Sequence, residues 1–183
     1  MRPPMGLFRV GQGVPPRVQP AITRKGAIPS ICHRSFSTSR TPQAKNRVFS
    51  PVRNLDQFHT YQLLSASSRV PLLTLWTAGW CATCRAVEPL VRRLIEEDRV
   101  GEAEGGVAFC TVEYDAPDVM AAGLGGQYMI TSIPTLLSFD AQEAQMRTRV
   151  SDARKLGDRA FVEEWIRAEA RRHGNRGGGS SWV

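Results

Sequence analysis

Residues 72–85 of this chain read Leu-Leu-Thr-Leu-Trp-Thr-Ala-Gly-Trp-Cys-Ala-Thr-Cys-Arg. The first six are almost uninterruptedly apolar, which is typical of a parallel strand buried on both faces. Cys81 and Cys84 follow one helical turn apart, and two thiols at that spacing can close a small disulfide ring and reopen it. A Cys-x-x-Cys is also half of a zinc site, so the pair alone leaves a redox centre and a metal site both open.

Strand-like and helix-like periods alternate around this stretch. The hydrophobic pattern predicts strands at 48–49, 72–77, 107–114, 135–139 and 145–150. It predicts helices from Asn54, as the cap, to Leu64, over 81–97 with Pro89 as a kink, and over 158–172. A short helix is expected over 117–127, ended early by the glycines of the loop 123–126. Alternating strands and helices indicate an α/β fold built on a central sheet.

The excess of positive charge belongs to the amino-terminal part of the chain. The formal net charge is +7, but residues 1–55 carry ten Arg or Lys and no Asp or Glu. The remaining residues carry 14 basic and 17 acidic groups, a net charge of −3. We therefore expect no nucleic-acid partner for the folded part, despite a pI of about 9.8.

The amino-terminal segment 1–47 has the composition of an organelle-targeting presequence. Residues 1–55 hold eight of the twelve prolines, which break helices and strands, and the segment has a hydroxyl cluster at 35–39. A negative-inside membrane potential draws such an acid-free, Arg-rich segment inward. Arg34-Ser35-Phe36-Ser37 resembles fungal mitochondrial presequences, so we expect cleavage near Phe36, or at any position up to Val48. A basic tail that binds RNA or lipid headgroups is the alternative.

Identification of residues 1–47 as a presequence leads to expectations about the location of the protein and about its cysteines. The protein would reside in the mitochondrial matrix, and Cys32 would leave with the presequence. The Gly/Ser-rich tail 174–183 would be disordered. No apolar run approaches the roughly 20 residues that a membrane span needs, so we expect no membrane partner.

Two segments of the chain carry a family resemblance. Trp80-Cys81-x-x-Cys84-Arg85, with Pro89 five residues later, resembles the active-site motif of thioredoxins. The segment 128–139, which reads Tyr-Met-Ile-Thr-Ser-Ile-Pro-Thr-Leu-Leu-Ser-Phe, resembles the family's segment around its cis-proline. The resemblance covers 48–173 and implies a thioredoxin fold, a mixed central β-sheet with helices on both faces.

The resemblance also implies the activity of a protein-disulfide reductase. Cys81, at the amino end of a helix where unpaired N–H groups stabilise a thiolate, would be the attacking sulfur. Cys84 would be the resolving sulfur, and the two would form the redox-active disulfide. The implied clients are disulfide-containing proteins, with thioredoxin reductase as the electron donor, and we expect a monomer without cofactor or metal.

Other residues of the two segments would serve the same site. Pro134 would be cis and would present the backbone of Ile133 to an extended substrate. Trp80 would pack beside the cysteines and shield them from water, with a plain core tryptophan as the alternative. Arg85 and Pro89 would be supporting residues, although Arg85 is equally consistent with a solvated helix position.

Two departures from the family pattern affect the expected mechanism. Leu75 stands where thioredoxins have a buried Asp, and Thr111 stands where they have a nearby Lys. Since both members of the pair are replaced, no isolated charge is left buried. Cys84 would then be deprotonated by water or by Glu113, and resolution would be slower than in a standard thioredoxin.

Two classes of function follow from this pattern. The first is the oxidoreductase; the second is a binding or assembly module with the same fold and weak or no redox turnover. An iron–sulfur cluster bridging two copies of Cys81 and Cys84 has no further support in the sequence. Cys110, in the middle of an apolar strand, is expected to be a buried, inert thiol.

Overall fold

The computed structural model of the chain describes residues 45–174. The predicted presequence up to residue 44, with its cleavage site near Phe36 and with Cys32, lies outside the described residues. The same holds for the predicted tail from residue 175 onward. The domain boundaries expected from the sequence therefore stay predictions.

In the part of the chain that the structure describes, five strands form one mixed sheet in the order β1-β3-β2-β4-β5. The strands are β1 (Arg47–Val48), β2 (Leu72–Thr77), β3 (Ala108–Glu113), β4 (Thr135–Asp140) and β5 (Glu143–Ala144). β3 pairs in parallel with both β1 and β2, whereas β4 is antiparallel to β2 and to β5. All six residues of β2 are buried, which confirms the prediction made from its apolar run.

Within residues 45–174, six helices accompany the sheet. They are α1 (Leu55–Ser68), α2 (Ala82–Glu96), α3 (Pro117–Ala121), α4 (Leu124–Gln127), α5 (Ala153–Gly157) and α6 (Arg159–Gly174). The Asn54 side chain accepts a hydrogen bond from the backbone N–H of Gln57 at 2.9 Å, which confirms Asn54 as the cap of α1. Short 3₁₀ turns lie at Glu102–Glu104 and Met146–Thr148.

The sheet separates two apolar cores, because alternate residues of a strand point to opposite faces. On one face, Leu73 and Leu75 of β2 pack with residues of α2 and α6 such as Val91 and Ile166. On the other face, residues of α1, α3 and α4 pack against the sheet, for example Phe58 against Trp76, with ring centroids 6.1 Å apart. Helices therefore cover both faces, as the thioredoxin resemblance implies.

The predicted strand 145–150 is wrong for most of its length. β4 turns back immediately through Ala141 and Gln142, both with positive φ, so β5 already lies at Glu143–Ala144. Two-residue hairpins with this conformation usually carry Asn or Gly, and neither is present here. Of the predicted strand, only Val150 makes a β-bridge, to Leu136.

Two helical regions also differ from expectation. The region 117–127 contains two short helices rather than one, separated by Gly123 in a left-handed conformation, so the loop predicted at 123–126 is wrong after its first residue. α5 was not predicted; Asp152 caps it by accepting from the Arg154 N–H at 2.9 Å. None of the helices within residues 45–174 has the length and hydropathy that crossing a bilayer requires.

Candidate active site

Cys81 and Cys84 form a disulfide between the end of β2 and the first turn of α2. Their Cα atoms lie 5.4 Å apart. Cys81 is the N-cap residue of α2, and its Sγ accepts a hydrogen bond from the Cys84 backbone N–H at 3.1 Å. A sulfur held there faces the positive end of the helix dipole, which favours the thiolate once the bond is reduced. Cys81 is 6% exposed and Cys84 2%, so the sulfur predicted to attack is the more accessible one.

The second sequence segment lies against this disulfide. The Ile133–Pro134 peptide bond is cis, as the resemblance implies. The Ile133 side chain packs against the small cluster formed by Ala78 and the two cysteines. β4 starts directly after Pro134 and pairs with β2, and this pairing brings together two motifs about fifty residues apart in sequence.

Trp80 is not a core tryptophan. Its side chain is 71% exposed, so it presents an apolar surface to solvent beside the disulfide. The alternative of a core tryptophan is therefore wrong, whereas the shielding of the cysteines by Trp80 stays a prediction. The buried tryptophan of this region is Trp76, whose indole N–H donates to Thr74 Oγ1 at 3.1 Å on β2 itself.

Arg85 and a carboxylate that the sequence did not single out both contact the loop before Cys81. The Arg85 guanidinium donates to the Gly79 carbonyl at 3.2 Å, while the Gly79 N–H donates to Asp115 Oδ2 at 2.8 Å. Asp115 follows β3, and β2 and β3 are parallel neighbours, so their carboxyl ends meet at one edge of the sheet. That topology is the signal that could have identified Asp115.

Leu75 and Thr111 are neighbours in the sheet, in register on β2 and β3. Leu75 is fully buried, and the Thr111 hydroxyl is buried without a hydrogen-bond partner within residues 45–174. The two positions where thioredoxins carry a charged pair are therefore occupied here by uncharged side chains. Glu113, the expected alternative base, has both carboxylate oxygens 2.9 Å from Nε of Arg53.

The remaining predicted residues lie away from the disulfide chemistry. Pro89 lies inside α2 with its ring exposed; the expected kink stays a prediction. Cys110 is fully buried on the sheet face covered by α1, α3 and α4, and burial raises the pKa of its thiol far above the ordinary value. Within the described part of the chain, no group of three or more His, Cys, Asp or Glu side chains is arranged to hold a metal ion.

The known proteins to which this chain is similar are thioredoxins. The family model described as Thioredoxin matches residues 53–161. A curated thioredoxin of Pyropia yezoensis is 34% identical over 77 residues, which are 42% of this chain and 64% of that protein. The match thus spans less than two thirds of the length of this relative.

Solved structures of thioredoxins share the fold. Thioredoxin NaTrxh of Nicotiana alata superposes with a TM-score of 0.52 at 15% identity, covering 70% of this chain and 97% of that one. Oxidised thioredoxin O1 of Arabidopsis thaliana gives 0.51 at 19% identity, covering 68% and 99%. The thioredoxin of Malassezia sympodialis gives 0.51 at 13% identity, covering 72% and 99%. With a family model that covers more than half of the sequence, the chain belongs to the thioredoxin family.

Proposed function

We propose that this protein is a thiol–disulfide oxidoreductase that reduces disulfide bonds in client proteins. The observation that carries the proposal is the position of Cys81. Its sulfur caps α2, accepts the Cys84 N–H and lies beside the cis-Pro134 segment. This arrangement supplies a stabilised thiolate, a second thiol one turn away and an adjacent backbone that an extended client can approach.

The reaction runs through one mixed disulfide. The Cys81 thiolate attacks one sulfur of the client disulfide, and the other client sulfur leaves as a thiolate that takes a proton. Cys84, once deprotonated, attacks the Cys81 sulfur and releases the second client thiolate. The client gains two electrons and two protons in all, and the Cys81–Cys84 disulfide is left. A two-electron donor must reduce it again, for which we propose a thioredoxin reductase.

The proton of Cys84 leaves to water in this mechanism. Leu75 and Thr111 provide no carboxylate at the family's usual position, and Glu113 is bound to Arg53. Resolution of the mixed disulfide is therefore the step that we expect to be slow. The same replacement is the observation that favours the second candidate function, a binding or assembly module with little turnover.

The client surface in this proposal combines Trp80, Ile133 and Pro134. Trp80 offers an exposed apolar face, and the backbone of Ile133 would pair with an extended segment of the client. Disulfide-containing proteins with an accessible, extended stretch next to a cysteine fit this surface.

We further propose that the protein works as a monomer in the mitochondrial matrix after removal of its presequence. Mass spectrometry of the amino terminus of protein recovered from purified mitochondria tests this location. The expected mature amino terminus lies before Asn46, because Asn46 is bonded into the domain. Its side chain donates to the carbonyls of Ile95 and Val100, at 3.0 and 2.9 Å. Unprocessed protein outside mitochondria would contradict the location.

The activity is tested by reduction of insulin, first with dithiothreitol and then with thioredoxin reductase and NADPH. We expect turnover in both assays and its loss in Cys81→Ser. A Cys110→Ala variant, which removes a thiol outside the pair that the mature protein keeps, serves as the control and should keep the activity. A Cys84→Ser variant should accumulate client mixed disulfides in mitochondria. Failure in both assays, together with a trap that captures no client, would reject the enzyme and leave the binding module.

A further inference from the structure

The loop that joins β2 to Cys81 is a single turn. Both the N–H and the carbonyl of Gly79, within this turn, are hydrogen-bonded to side chains outside it. The Cys81 N–H donates to the Ala78 carbonyl at 3.0 Å and closes the turn. Within it, the Gly79 N–H donates to Asp115 Oδ2 at 2.8 Å, and the Gly79 carbonyl accepts from Arg85 at 3.2 Å. One bond ties the turn to the segment after β3, and the other ties it to α2.

We propose that Asp115 is a positioning residue for the attacking sulfur, acting through the Gly79 peptide group. Cys81 Sγ lies 3.1 Å from the Cys84 backbone N–H, and it keeps this contact only while the turn that carries Cys81 stays fixed over the first turn of α2. Fixing Gly79 fixes that turn. The inference rests on the proposed function in that it takes Cys81 as the attacking sulfur.

Asp115 is the carboxylate at this edge of the sheet that is bonded to the active-site turn. A backbone N–H bonded to an ionised carboxylate makes a stronger contact than one between neutral groups. Its two acidic neighbours along the chain are placed differently. Glu113 has both oxygens on Arg53, and Asp118 is exposed in the first turn of α3.

The identity of residue 79 permits this contact. A Cβ added at Gly79 would lie 3.2 Å from Asp115 Oδ2, closer than an ordinary van der Waals contact. A side chain there would therefore push the carboxylate away from the N–H that it binds. The hydrogen bond from residue 79 to Asp115 thus requires glycine at position 79.

Loss of the Asp115 hydrogen bond and loss of the Asp115 charge should have opposite effects on the reactivity of Cys81. Variants that remove one or both can therefore distinguish the two contributions. Loss of the hydrogen bond loosens the turn, so the thiolate loses its contact with the Cys84 N–H and becomes less available. Loss of the negative charge alone would make a nearby thiolate easier to form. Asp115→Ala removes both, whereas Asp115→Asn removes the charge and keeps an oxygen that can accept from Gly79.

The test is the rate at which iodoacetamide alkylates Cys81 at pH 7 in the reduced full-length protein, read by mass spectrometry of its peptide. We expect Asp115→Ala to be slower by about tenfold, the equivalent of one hydrogen bond. Asp115→Asn should stay within about twofold of the unchanged protein, as should Asp118→Ala, the matched control for removal of an exposed charge. Alkylation of buried Cys110 in the same samples reports on unfolding and should stay negligible.

Three outcomes would overturn the proposal: an unchanged rate in Asp115→Ala, an equal loss in Asp118→Ala, or an equal loss in Asp115→Asn. If Asp115→Ala exposes Cys110, Gly79→Ala replaces it, since it displaces the carboxylate without removing it, and an unchanged Cys81 rate there also overturns the proposal. Insulin reduction by the same proteins separates this inference from the proposed function. The expected alkylation pattern without insulin turnover would reject the enzyme and keep the positioning role.

Discussion

Leu75 and Thr111 are two single side chains, on the strands that precede Cys81 and Asp115, that distinguish this chain from the thioredoxin pattern. They are in register on neighbouring strands, both are buried, and neither carries a charge. The site therefore keeps its attacking thiol and the cis-Pro134 segment, while the two positions that carry the charged pair in thioredoxins are uncharged. The Thr111 hydroxyl has no hydrogen-bond partner within residues 45–174, and we expect the proton of Cys84 to be transferred more slowly. Stability measurements test the first effect and kinetic measurements the second.

Introducing a carboxylate at position 75 should restore fast resolution. In Leu75→Asp, the new carboxylate is able to accept the Cys84 proton, so the mixed disulfide should resolve faster at pH 7 in stopped-flow experiments. Leu75→Asn, which has the same shape and no base, is the control and should not accelerate. Both variants should lose roughly 3 kcal/mol of the free energy of unfolding, because a polar group is buried in the core. Equal resolution rates for the two would contradict the mechanism.

Two buried threonines should respond to the same substitution with opposite signs. Thr111→Val removes a hydroxyl without a partner among the described residues, so the free energy of unfolding should rise by about 1 kcal/mol. Thr74 Oγ1 donates to the Leu137 carbonyl at 2.9 Å and accepts from the Trp76 indole, so Thr74→Val should lower it by about 1–2 kcal/mol. Urea unfolding of both variants measures these changes in the free energy of unfolding. A loss of stability in Thr111→Val would show that the Thr111 hydroxyl does have a hydrogen-bond partner.

At the scale of secondary-structure elements, the sequence predicts those strands and helices whose residues carry a strong local signal. β2 and the cap of α1 carry strong local signals, an apolar run and Asn54, and both were predicted correctly. β5 follows a hairpin turn that contains neither Asn nor Gly, so the sequence gives no turn signal before it. α5 is separated from α6 by Asp158 alone, and so short a break leaves no signal in the hydrophobic pattern. The disulfide pair is visible as a motif, but the Asp115–Gly79 bond depends on the tertiary pairing of β2 with β3.

The amino-terminal strand β1 should depend on one side chain. Asn46 donates to the carbonyls of Ile95 and Val100 and accepts from the Val107 N–H at 3.0 Å, thereby joining the end of α2 to the start of β3. Asn46→Ala should lower the free energy of unfolding by about 2 kcal/mol. Lys45→Ala, at the exposed neighbouring position, is the control in the same urea titration. Equal midpoints for the two variants would show that these bonds contribute nothing.

For the whole molecule, burial of Cys110 links stability to pH. Its thiol keeps its proton in the folded protein because burial raises its pKa, whereas in the unfolded chain it ionises near the ordinary value of about 8.5. The unfolded state therefore binds fewer protons above that pH, and stability should fall there by up to about 1.4 kcal/mol per pH unit. Urea unfolding of the oxidised protein between about pH 7.5 and 10 measures the slope. Cys110→Ala should lack this contribution, and parallel curves for the two proteins would contradict it.

The uncharged pair formed by Leu75 and Thr111 also has an electrochemical consequence. The midpoint potential of a dithiol changes its slope against pH wherever a group that senses the redox state gains or loses a proton. Leu75 and Thr111 do not ionise, so this position contributes no break to that curve. In a voltammetric titration of the midpoint potential against pH, Leu75→Asp should add a bend that the unchanged protein lacks.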